Sequence, residues 1–89
     1  MTEEKTKQIL PEWFHGEVYK EGEEVTNPYS GDSCWLNPEE LSMYDFIKGC
    51  ETLIQHGGDY GSKDLVKMFY DGLWWFKDNS PRNYMTLLD

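Results

Sequence analysis

Residues 27–40 read Asn-Pro-Tyr-Ser-Gly-Asp-Ser-Cys-Trp-Leu-Asn-Pro-Glu-Glu (NPYSGDSCWLNPEE), and the succession of signals along them sets the fold class. Asn27 and Pro28 spell a reversal: an asparagine side chain can bond backbone N–H groups ahead of it, and proline pre-sets φ at the first central turn position. Gly31 tolerates a left-handed residue in the same turn. Ser33 to Leu36 then read as a strand, with Cys34 and Leu36 on one face and Ser33 and Trp35 on the other. Asn37-Pro38-Glu39-Glu40 spells a helix start, with an N-cap asparagine, proline at the first helical position and a glutamate at the third to close a capping box. Turn, strand and capped helix in direct succession predict an α+β chain.

Upstream, Val18-Tyr19 and Val25-Thr26 are short β-prone pieces around Glu21-Gly22. They predict a hairpin, and with the second reversal an antiparallel hairpin or three-strand meander over residues 17–36. Downstream, Leu41, Tyr44, Ile47, Cys50 and Ile54 recur at helical spacing, joined by Met43, Phe46 and Leu53, so a helix runs to about Gln55 before Gly57-Gly58 stops it. Ser62 caps a second helix, Lys63 to Asn79. Ser80-Pro81 repeats the cap-then-proline start for a short final helix bearing Tyr84, Met85, Leu87 and Leu88. Residues 1–10 are polar and aperiodic and are expected to be a flexible tail, leaving 11–89 as a single α+β domain.

The second helix is over-supplied with apolar residues. Leu73, Trp74, Trp75 and Phe76 alone sweep most of its circumference at 100° per residue. An 89-residue chain has little with which to bury such a helix, so part of its surface is expected to meet another chain. Adjacent Trp74 and Trp75 point about 100° apart, and either an interface anchor or packing beneath the N-terminal segment with Trp13 and Phe14 fits them.

Seventeen acids against eight bases give a net charge of −9, and residues 1–56 hold −8 of it. Such a field repels phosphate backbones, so neither direct nucleic-acid binding nor attraction to an anionic membrane is expected; basic proteins are the favoured partners. Glu21, Glu23, Glu24 and Asp32 form an acidic rim if the hairpin presents them together. No apolar run reaches the ~18 residues of a membrane span, and MTEEKTKQIL lacks the apolar core of a secretion signal, so a cytoplasmic protein with reduced Cys34 and Cys50 is expected.

Chemistry-bearing constellations are weak. Gly31-Asp32-Ser33 suggests a nucleophilic serine only superficially, because the G-x-S-x-G elbow is absent. His15, Cys34, Cys50 and His56 lack paired metal-ligand spacing, so no metal and no cofactor is expected. The loop His56-Gly57-Gly58-Asp59-Tyr60-Gly61-Ser62-Lys63 lacks the glycine-lysine-serine/threonine order of a phosphate cradle. An enzyme is not expected.

The segments WFHGEVY, VTNPYSGDS, LNPEELSMYDFIKG and NSPRNYMTLLD, most specifically LSMYDFIKG, resemble a group of small, uncharacterised acidic proteins of tailed bacteriophages, particularly marine phages and cyanophages. The resemblance carries over no catalytic residue. It implies a viral protein working in the host bacterial cytoplasm by binding host machinery. The expectation is therefore a non-enzymatic accessory protein that docks on another protein through aromatic anchors, Trp35, Trp74 or Trp75, beside the acidic rim. The alternative is a self-associating structural or virion-accessory protein, a homodimer through the surplus apolar face.

Overall fold

The computed structural model describes residues 9–14, 16–57 and 62–88. It is an α+β fold: strand β1 (Glu23–Thr26), strand β2 (Ser33–Leu36), helix α1 (Pro38–Gly57), helix α2 (Ser62–Asn79) and helix α3 (Pro81–Leu87). The expected tail lies mostly outside the described residues, as do His15 and the glycine-rich loop at 58–61.

The Asn27 reversal forms through its own side chain. Asn27 Oδ1 accepts the N–H of Tyr29 at 2.8 Å, its backbone N–H donates to the Asp32 carbonyl at 2.7 Å, and Gly31 takes φ +83°. Asn27 Nδ2 also donates to the Thr86 carbonyl at 2.9 Å, tying the turn to α3. β1 and β2 pair antiparallel, with Glu23 opposite Leu36, Glu24 opposite Trp35, Val25 opposite Cys34 and Thr26 opposite Ser33. Leu36 is buried and Cys34 half-buried, while Ser33 and Trp35 face outward, the alternation that period two requires.

The sheet has two strands, so the upstream hairpin does not form. Val18 and Tyr19 are irregular; the Tyr19 N–H donates to Ser42 Oγ at 2.9 Å on α1 in place of a strand neighbour. Gly22 makes no left-handed turn but lies against β2. A Cβ there would collide with the Leu36 carbonyl oxygen and stand 2.8 Å from the Trp35 indole.

At the head of α1 the capping box closes both ways. The Glu40 N–H donates to Asn37 Oδ1 at 2.8 Å, and the Asn37 N–H donates to Glu40 Oε1 at 3.0 Å. Ser80 behaves differently: Pro81 starts α3, but the Ser80 side chain makes no capping bond, and the residue is buried at the α2–α3 corner. α1 and α2 run antiparallel, Tyr44 meeting Phe76 at 6.5 Å between rings and Ile47 meeting Gly72, where a Cβ would come within 2.9 Å of the isoleucine. Leu36, Met43, Ile47, Phe76 and Leu87 form the centre of the core, so β2 and all three helices each contribute. Trp13 and Phe14 close one side by packing at a tilt against Phe46, at 5.9 and 5.2 Å between rings.

Candidate protein-binding surface

The crowded helix α2 divides its aromatics between core and solvent. Phe76 is fully buried and Trp75 half-buried, whereas Trp74 is 67 % and Tyr70 55 % exposed. Trp75 is committed to its own chain: its indole N–H donates to the Ile9 carbonyl at 3.0 Å, and its ring meets Phe76 edge-on. Trp75 thus takes the packed role beneath the N-terminal segment, and Trp74 is left in solvent.

Tyr70, Trp74 and Lys77 lie along one stripe of α2, at i, i+4 and i+7. α3 folds back beside that stripe and adds Tyr84. A cleft of about 220 Å³ is lined by Tyr70, Leu73, Trp74, Lys77 and Tyr84. A second, about 280 Å³, continues from Lys77 and Tyr84 onto Pro81 and Met85, the last 67 % exposed. The result is an aromatic corner between α2 and α3. A separate apolar groove of about 530 Å³ lies between α1 and α2, beside Phe46, Cys50, Leu53, Leu65 and Met68.

Trp35 belongs to another surface, the outer face of the hairpin. It is 62 % exposed and shares that face with Glu24, its partner in register. Its carbonyl accepts from Asn83 Nδ2 at 3.1 Å, which fixes β2 against α3. The four acids are exposed but do not form one face. Glu24 points outward with Trp35, Glu23 stands opposite Leu36 on the other face, Glu21 precedes the strand, and Asp32 sits at the far end of the hairpin.

The other candidate chemistry is occupied structurally. Ser33 Oγ is hydrogen-bonded to Thr26 Oγ at 2.7 Å, and Ser30 Oγ accepts the Asp32 N–H at 3.1 Å, so the serines staple the hairpin. Burial pushes the Cys34 thiol upward, helped by the nearby Glu40 and Glu24 carboxylates, and burial alone raises Cys50, so both favour the protonated, poorly nucleophilic form. Among the described residues no three His, Cys, Asp or Glu side chains gather as a metal site, and no helix is long and apolar enough to cross a membrane.

No protein-family model, curated protein or solved structure matches this chain. Trp74 and Trp75 stood out in the sequence but Tyr70 and Lys77 did not, although their i, i+4, i+7 spacing with Trp74 is the signal that could have found them. Tyr84 and Met85 carry no such signal, because their place beside α2 depends on how α3 turns at Ser80.

Proposed function

We propose that this protein is a non-enzymatic binding protein that docks on another protein through the α2–α3 aromatic corner, with Trp74 as its anchor. The exposure of Trp74 amid Tyr70, Tyr84 and Met85 carries the reading. Tryptophan and tyrosine dominate interface hot spots because they bury much area at little entropic cost. Covering the exposed two-thirds of an indole of roughly 250 Å², at about 25 cal/mol per Å², contributes about 4 kcal/mol before association costs. The net charge of −9 favours a basic partner and disfavours nucleic acid. A phage accessory factor acting on host machinery in the bacterial cytoplasm is the setting that the sequence resemblance supports.

The test is capture from bacterial lysate by the tagged full chain, washed at low and high salt, beside Trp74→Ala and Trp35→Ala. A stoichiometric partner held at high salt by the wild type and by Trp35→Ala, but lost by Trp74→Ala, supports the corner. Equal capture by Trp74→Ala refutes it. The same exposed rings would serve a homodimer, and sedimentation of wild type against Trp74→Ala identifies that case: a dimer that Trp74→Ala abolishes makes the second copy the partner.

A further inference from the structure

The aromatic corner already holds a cation. Lys77 Nζ lies 5.8 Å from the ring centroid of Trp74 and 5.8 Å from that of Tyr84, within cation–π range of both. The salt bridges among the described residues, Lys48–Glu51 and Lys67–Asp71, do not include it. In a chain with seventeen acids, this ammonium group rests on two aromatic rings, with Tyr70 and Leu73 as the remaining walls of the cleft. Its presence there shows which chemistry the rings accommodate.

Lys77 is also a replaceable occupant. It is exposed, it reaches Trp74 from one turn along the same helix, and contacts of this kind at exposed sites are weak. A guanidinium group stacks on aromatic faces better than an ammonium group, because it is planar and more weakly hydrated. The overall charge of −9, of which residues 1–56 hold −8, draws basic segments toward the molecule.

We propose that the Tyr70–Trp74–Tyr84 cleft receives an arginine side chain from a basic segment of the partner protein, and that Lys77 is the internal occupant it displaces. The proposal rests on the binding role given above to the corner and names what enters it. Docking then exchanges one cation for another between the rings, so the cleft discriminates for arginine over apolar anchors. Removing the internal cation favours binding, and strengthening it opposes binding.

The experiment titrates N-acetyl-arginine methylamide into the isotope-labelled full chain at constant ionic strength, with N-acetyl-leucine methylamide as the apolar control. Chemical shifts are followed at the Trp74 indole N–H and the Tyr84 amide. Saturable shifts with the arginine probe alone are expected. Lys77→Met should tighten binding about two- to fivefold, Lys77→Arg should weaken it, and Trp74→Ala should abolish it, each variant keeping the wild-type amide spectrum away from the corner. Equal response to the leucine probe overturns the proposal, as does weaker or unchanged binding in Lys77→Met, or shifts confined to the acidic hairpin. If lysate capture still depends on Trp74 after such a result, the corner binds proteins through an apolar anchor. If capture is also indifferent to Trp74, the binding role itself falls.

Discussion

Asn37→Ala and Glu40→Ala together test whether the junction between strand and helix is held as the reciprocal capping bonds imply. Removing Asn37 Oδ1 takes the acceptor from the Glu40 N–H, and loss of an N-cap of this kind costs about 1 kcal/mol, with a range of roughly 0.5–2. Removing the Glu40 carboxylate takes the acceptor from the Asn37 N–H and from Asn83 Nδ2, 3.5 Å away. Because Glu40 is only 7 % exposed, water does not readily replace it, and the cost is about 1–3 kcal/mol. At about 4–8 °C per kcal/mol for a domain of this size, Asn37→Ala should lower Tm by roughly 4–8 °C and Glu40→Ala by at least as much. Because each side chain orients the other's backbone, the double variant should lose less than the sum, by about 0.5–1 kcal/mol. Glu39→Ala is the control, removing a first-turn charge but no capping bond, with a cost below about 1 kcal/mol. Urea and thermal unfolding followed by circular dichroism read the four variants beside the wild type. A Tm for Asn37→Ala within about 1 °C of wild type, or strict additivity of the pair, would refute the reciprocal cap.

Three further outcomes follow from the packing. Asn27→Asp keeps the turn-forming oxygen but loses the donor to Thr86, so it should cost about 1 kcal/mol in urea unfolding, whereas Asn27→Ala should cost clearly more; equal losses would mean that the turn bonds contribute nothing. Gly22→Ala should destabilise by about 1–3 kcal/mol and should not be rescued by Trp35→Ala, because the Leu36 carbonyl that its Cβ meets belongs to the backbone; a neutral Gly22→Ala would place that residue elsewhere. Burial raises the folded Cys50 pKa above the ordinary 9.0, so the stability this group contributes is full below the unfolded pKa and is lost as pH rises through the folded value. The wild type should therefore lose more stability than Cys50→Ala between pH 8 and pH 10, and parallel pH curves for the two proteins would exclude it.

Local chemistry was readable from the chain wherever one residue type has one effective use. Asn37-Pro38-Glu39-Glu40 forms the cap it spells, and Asn27 and Gly31 form the reversal. The upstream hairpin failed because the β-prone piece Val18-Tyr19 is only two residues long and a tertiary alternative overrides its propensity: the Tyr19 N–H finds Ser42, and Gly22 is used for close approach to β2, not for a turn. Helical spacing also showed that α2 carried more apolar surface than one stripe can hide. It left open which of Trp74 and Trp75 would stay in solvent, because both choices satisfy a 100° step.

The sequence by itself determined the order of the elements, the facing of β2, the capped start of α1 and the acidic charge, all of which depend on neighbours within a few residues or on composition alone. Only the tertiary structure decided that Trp75 reaches the Ile9 carbonyl, that Trp74 remains exposed, and that Tyr84 comes within reach of Lys77. Those outcomes depend on where α3 and the N-terminal segment pack against α2, and packing is settled by which arrangement buries the most apolar surface with its polar groups bonded, a property of the whole chain.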